Sequence, residues 1–149
     1  MGSIWSQTCT IGRRPNLRGH LKTKDAVVGA GMAGVLTAYA LQQAGLSVVV
    51  LEAGRFAGGQ TQNTTAKITS QHGLIYSRLI QSFGEETARR YAKANQDAVR
   101  AYQDLIDVQG ISCDWEERCA YLYGPDVTVL QEEAEAARRL GLPASFTRE

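Results

Sequence analysis

The chain has 149 residues, 44% of them apolar, with 16 basic and 15 acidic side chains and a formal net charge of +1. That length and apolar content fit one ordinary globular domain and exclude a disordered chain. The near-neutral balance offers no electrostatic case for nucleic acid or an anionic membrane surface.

No apolar run approaches the roughly 18 residues that span a bilayer, and residues 5–25 are too polar for a secretory apolar region. Arg13-Arg14 lacks the apolar segment that would follow a twin-arginine signal. Met1-Gly2-Ser3-Ile4-Trp5-Ser6 fits the loose myristoylation pattern, a six-residue match of the kind that arises by chance. Cys9, Cys113 and Cys119 form no C-x-x-C or Cys/His cluster, so no metal site is expected. Cys113 and Cys119 flank an expected turn and could come close in space. The preferred reading is three reduced thiols in a cytoplasmic protein.

In chain order, residues 1–24 read as a polar leader that delivers the chain to a first strand over 25–28. A helix follows from near Gly31 to Gln43, with Ala33, Leu36, Ala40 and Leu41 as its apolar face and Ala44-Gly45 as a glycine C-cap. Ser47–Leu51 is a continuous Val/Leu run, as expected of a parallel strand buried on both faces. Only Ala26, Val27 and Val28 separate Asp25 from Gly29, one apolar residue fewer than such motifs commonly carry. The first strand is therefore expected to be strained or to begin earlier, at Thr23. Residues 53–70 form a long loop rich in glycine and threonine, and loops of that length are often functional.

Leu74, Leu79, Ile80 and Phe83 mark a helical segment, and Ser82-Phe83-Gly84-Glu85 has capping-box spacing for the next helix. From Ala88 to Ile106 apolar residues and Tyr91 and Tyr102 recur every three or four positions, giving a long amphipathic helix that ends near Gly110. Its tyrosines read as core packing, and Glu85/Arg89 and Glu86/Arg90 as i,i+4 pairs on its wet side. Ile111–Glu116 and Cys119–Tyr123 read as two strands, residues 126–140 as a helix stopped by Gly141 and Pro143, and Ala144–Thr147 as the start of another strand.

The chemistry concentrates at the first turn. Gly29, Gly31 and Gly34 have G-x-G-x-x-G spacing between a strand and a helix, and Glu52 follows the second strand 18 residues after Gly34. Gly29 permits the tight turn, Gly31 lets backbone approach a pyrophosphate, and Gly34 lets helix pack closely on strand. The helix start offers N–H groups and a positive dipole end to phosphate. Glu52 can accept hydrogen bonds from both ribose hydroxyls and would repel a 2′-phosphate. The bland alternative is a glycine-rich turn that binds nothing; the flanking strands and Glu52 weigh against it.

The turn Gly29-Ala30-Gly31-Met32-Ala33-Gly34, the strand Val48–Glu52 and the loop Gly58-Gly59-Gln60-Thr61-Gln62-Asn63-Thr64-Thr65-Ala66-Lys67 together resemble FAD-dependent oxidoreductases of the D-amino-acid oxidase type. Ser3-Ile4-Trp5 and the run from Asn63 to Tyr76 are similar to a bacterial branch of that group with a C-terminal Rieske iron–sulfur domain. The resemblance covers essentially the whole chain but only the first part of the family's architecture. It implies an α/β fold: a Rossmann-like βαβ FAD-binding unit, then long helices and the start of an α+β substrate domain. The implied organisation is a leader over 1–24, the βαβ unit and threonine-rich loop over 25–73, a helical segment over 74–110 and the beginning of a substrate domain over 111–149.

The resemblance also implies roles. Gly29, Ala30, Gly31, Ala33 and Gly34 would bind the FAD pyrophosphate, and Glu52, with Ala53 after it, the adenosine ribose. Thr61, Thr64, Thr65 and Lys67 would donate hydrogen bonds along the loop toward the flavin. His72 could approach the substrate side, but a lone histidine is more often structural, and no catalytic residue is assigned. In the family, downstream segments complete the FAD domain. The chain is therefore expected to be an N-terminal portion or truncated product, with apolar sheet surface left uncovered and weak activity or none by itself. Its cysteines, with His20 and His72, do not make the paired Cys/His ligand sets of a Rieske centre. The expected partners are a small-molecule substrate and an electron-transfer partner acting through a Rieske domain. The competing expectations are a small NAD-binding Rossmann protein, which Glu52 permits, and a non-catalytic remnant.

Overall fold

A computed structural model describes residues 3–148. The chain divides into two compact units, Met1–Lys67 and Ile68–Glu149. The start of the myristoylation-like pattern, Met1-Gly2, lies outside the described residues.

The first unit is built on a parallel pair of strands. β1 (Asp25–Val28) and β2 (Val48–Leu51) pair in register, Asp25 opposite Val48 and Val28 opposite Leu51. Helix α2 (Met32–Gln43) connects them. Its end is a Schellman motif: the N–H of Gly45 bonds the carbonyl of Gln42, the N–H of Leu46 bonds that of Leu41, and Gly45 has φ +81°.

Three expectations are corrected here. β1 spans Asp25–Val28, as expected of the strand itself, and does not begin earlier at Thr23; its residues alternate between half-buried and exposed, Asp25 sharing the half-buried face with Val27, and Val28 is 84% exposed. Val48–Leu51 are half-buried rather than buried on both faces, and α2 buries no residue, with Ala33 and Ala40 exposed. The physical reason is coverage: one partner strand and one helix cannot dry both faces of a strand. Within the leader, Ile4–Thr8 form a short helix, α1, packed on the 3₁₀ turn Gln60–Asn63 of the long loop.

The second unit is helical. α3 (Tyr76–Phe83), α4 (Glu85–Gln109) and α5 (Val127–Arg139) enclose a core of Tyr76, Ala88, Ala92, Ala136, Ala137, Leu140 and Leu142. The alanines let the helices approach closely around one large ring, and Tyr91 meets Tyr76 edge-on at 6.4 Å between centroids. α4 ends at left-handed Gly110 (φ +59°), and its expected ion pairs Glu85–Arg89 and Glu86–Arg90 form. α5 begins under Asp126, whose carboxylate accepts from the N–H groups of Thr128 and Val129, and stops at Gly141.

The start of α3 is served from another helix. Glu133 of α5, only 4% exposed, accepts from the N–H groups of Ile75, Tyr76 and Ser77 at 2.8–2.9 Å and from the Gln71 side chain at 3.2 Å. Burial raises the Tyr76 phenol above its ordinary value, opposed by a hydrogen bond with the Ser70 side chain and aided in lesser measure by neighbouring Tyr91 and Glu133; its own proton goes to the Ser70 carbonyl.

Expected features fail in this unit as well. Residues 111–116, 119–123 and 144–147 are not strands, because no strand of the second unit's described residues pairs with them. Backbone donors and acceptors need a neighbouring strand before an extended segment becomes sheet. The Ser82–Glu85 capping box does not form: Ser82 is inside α3, Gly84 is the N-cap of α4, and Glu85 sits at the first helical position rather than the third. Phe83, expected on an apolar face, is 65% exposed.

Candidate functional site

The turn from β1 into α2 is where most of the singled-out residues meet, and its three glycines answer to different demands. Gly29 has φ +98°, a conformation that strains any L side chain, and its N–H closes the turn onto the Leu51 carbonyl at 2.7 Å. At Gly34 a Cβ would lie 1.9 Å from the Gly29 carbonyl oxygen, so helix and turn close only over a bare backbone. Gly31 is under neither constraint. Its φ is −75° and its ψ −178°, an ordinary extended conformation. A Cβ there would find only the Thr61 hydroxyl, at 3.5 Å, an ordinary contact.

Gly31 is also the N-cap of α2, and it offers no side-chain oxygen to the helix start. Helix geometry leaves the first N–H groups without intrahelical partners, and the first such bond here is that of Val35 to the Gly31 carbonyl. One donor, the N–H of Met32, is met by the Thr61 hydroxyl oxygen at 3.0 Å. Thr61 is placed there by the 3₁₀ turn.

Ala30 is fully buried; its carbonyl accepts from the N–H of Ala57. Its N–H donates to one oxygen of Glu52 at 2.8 Å, and the N–H of Gly54 donates to the other at 2.8 Å. These two bonds, Ala30 first, hold the Glu52 carboxyl below its ordinary value. A carboxylate oxygen carries two lone pairs, so each oxygen of Glu52 keeps acceptor capacity.

Thr64 accepts from the indole N–H of Trp5 at 2.8 Å and donates to the Thr61 carbonyl at 3.2 Å. Ala33 and Ala53 lie at the surface, in the first turn of α2 and after Glu52. Thr65 and Lys67 are exposed, and among the described residues no hydrogen bond ties them to the turn. His72 belongs to the second unit, where it bonds Asn95 at 3.3 Å. Sequence reasoning passed over Trp5 as a functional contributor; the only signal was its place in a leader motif.

Among the described residues no group of His, Cys, Asp and Glu could hold a metal ion, and Cys9, Cys113 and Cys119 are free and exposed. No helix among them is long and apolar enough to cross a membrane. A concavity of about 470 Å³ between α3 and α5, lined by Ser77, Gln81, Glu135 and Arg139 among others, contains none of the singled-out residues.

The first unit therefore presents a parallel βαβ arrangement whose turn gathers backbone donors, a hydroxyl and a carboxylate. Comparison with known proteins agrees: the FAD dependent oxidoreductase (DAO) profile matches residues 26–149. The chain belongs to this family of FAD-dependent oxidoreductases.

It is 36% identical over 143 residues to YhfW of Bacillus subtilis (strain 168), named as a Rieske 2Fe-2S iron–sulfur protein, an alignment covering 94% of this chain and 28% of YhfW. It is 27% identical over 117 residues to gamma-glutamylputrescine oxidoreductase of Escherichia coli (strain K12), covering 77% and 28% of the two chains. To the tRNA 5-methylaminomethyl-2-thiouridine biosynthesis bifunctional protein MnmC of Ectopseudomonas mendocina (strain ymp) it is 31% identical over 141 residues, covering 88% and 21%. The chain thus spans between a fifth and three-tenths of these relatives. No solved structure matches it significantly.

Proposed function

We propose that the first unit binds the ADP half of FAD, as the N-terminal, Rossmann-like portion of a flavin-dependent oxidoreductase. The observation that carries this reading is Gly31. The backbone would tolerate a side chain there, yet the position is bare at a helix start that a serine or aspartate would cap better. A glycine the fold does not require is explained by a ligand that approaches where a Cβ would stand. The donor set fits a pyrophosphate: helix N–H groups of Gly31, Ala33 and Gly34, a favourable dipole end, and the Thr61 hydroxyl. Because the Met32 N–H can only donate, the Thr61 oxygen accepts from it and its own proton is left for a phosphate oxygen.

Glu52 takes the ribose hydroxyls through its remaining lone pairs and disfavours a 2′-phosphate. Thr64, Thr65 and Lys67 extend the polar loop toward the flavin. The bound flavin supplies two-electron redox chemistry; these residues bind and orient it. A small-molecule substrate would reduce it, and the Rieske name of YhfW supports an electron-transfer partner. Free exposed thiols fit a cytoplasmic setting.

The test is FAD titration of the full chain and of Gly31→Ala. The added methyl has room in the protein and costs at most about 1 kcal/mol of stability as a poorer N-cap. FAD affinity falls at least about tenfold, as expected when a methyl displaces a phosphate from its donors. Unchanged FAD affinity in the variant, or binding of NADH in place of FAD, overturns the reading.

A further inference from the structure

We infer that Trp5 is a positioning residue for the phosphate-binding turn, acting through Thr64 and Thr61; this rests on the reading of that turn as the FAD site. The hydrogen bonds have one possible direction. An indole N–H only donates, so the Thr64 hydroxyl oxygen must accept from Trp5 at 2.8 Å. The Thr64 proton is thereby directed to its second partner, the Thr61 carbonyl, 3.2 Å away. That bond and the backbone bond from the Thr64 N–H, at 3.4 Å, both end on the same Thr61 carbonyl and tie down the end of the 3₁₀ turn. The turn in turn sets the Thr61 hydroxyl on the Met32 N–H at the start of α2.

Helix α1 holds Trp5 half-buried against this turn. The leader thus orients a hydroxyl from 56 residues away in sequence, since Trp5 and Thr61 differ by that number. Losing the indole N–H frees the Thr64 rotor to swing, and the Thr61 proton is no longer held ready for a phosphate oxygen. Trp5 touches no ligand in this scheme.

The experiment is FAD titration of the apo form of the full chain, followed by flavin fluorescence, with thermal unfolding measured alongside. Trp5→Phe keeps a ring against the turn but removes the donor. Thr64→Val keeps the shape of an exposed side chain and removes the hydroxyl, and Thr64→Ser restores it. Expected are about fivefold weaker FAD binding in W5F and T64V, the worth of one ordinary hydrogen bond, and wild-type binding in T64S. T61A binds about tenfold more weakly, having lost a bond to a charged group. W5F adds nothing further in the T61A background, because its effect passes through that hydroxyl.

Wild-type affinity in both W5F and T64V, with T61A impaired, overturns the role of Trp5 while sparing the FAD site. Equal additive losses from W5F and T61A overturn it too. No FAD binding by the wild-type chain, or none of these variants differing from it, sinks the FAD site itself. Should W5F fail to fold, the comparison of T64V with T64S decides.

Discussion

Two helix starts in this chain pose the same electrostatic problem and meet it in opposite ways. At α3 three consecutive N–H groups converge on the carboxylate of Glu133, which another helix delivers and the core seals from water. At α2 the N-cap is a glycine, and the protein supplies one neutral hydroxyl to one N–H. The α3 start is finished by the protein's own anion; on the proposal above, the α2 start keeps its donors and dipole end for a ligand's. Under that proposal the contrast separates a structural from a binding terminus without appeal to motif.

Four substitutions or titrations sharpen the contrast, and the largest effect falls on the structural terminus. Glu133→Ala strands three donors, that of Tyr76 fully buried and those of Ile75 and Ser77 half-buried, and should cost about 3 kcal/mol. Glu133→Gln, which keeps one carbonyl oxygen, should cost less, about 1–2 kcal/mol. Denaturant unfolding of both variants reads this, and near-equal stability of E133A and wild type would break the comparison at its stronger end.

Gly34→Ala comes next. The methyl would press on the Gly29 carbonyl, and relieving it should cost about 1–3 kcal/mol, measurable by thermal unfolding. Set beside Gly31→Ala, which is expected to cost at most about 1 kcal/mol and to weaken flavin binding, it would separate a glycine the fold needs from one the ligand needs.

The third test is acidity. The Glu52 carboxyl lies below its ordinary value of 4.5 because folding gives it backbone donors, first that of Ala30 and then that of Gly54. A depressed folded value means its stabilising contribution is fully present above the unfolded value and is lost as pH falls through the folded one. The stability difference between wild type and Glu52→Gln should therefore persist at neutral pH and close as pH falls below about 4.5. A difference that stays constant from pH 7 to pH 3 refutes it.

The smallest effect belongs to the surface: Arg90→Ala breaks a mostly exposed pair with Glu86 and should change stability by about 0.5 kcal/mol or less.

What was legible in the sequence was local. Gly29, Gly34 and Gly45 punctuate β1, α2 and the approach to β2 through backbone rules that need no distant partner, and Asp126 and Gly141 do the same for α5. Extended segments were not legible in this way. The residues at 111–116 and 119–123 have strand-like side chains, but a strand exists only when another strand takes its hydrogen bonds, and nothing in so short a pattern says whether one is there. Ser82–Glu85 misled for a related reason: the spacing of a capping box is local, whereas the break at Gly84 (φ +80°) set the frame two residues off. Glu133 and Trp5 escaped notice because their partners lie 56–62 and 59 residues away. In the candidate site the glycines and Glu52 could be picked out from spacing alone, but the hydrogen-bond chain through Thr64 could not.

The bare N-cap at Gly31 has a consequence for anyone who would improve this protein. Selection for heat resistance alone would favour serine, threonine, asparagine or aspartate there, since each closes the helix start with its own oxygen. On the proposed reading, such a winner would be sturdier and would have mistaken its own side chain for its ligand. Variant libraries of this segment are therefore better sorted on retained yellow colour before they are sorted on melting temperature.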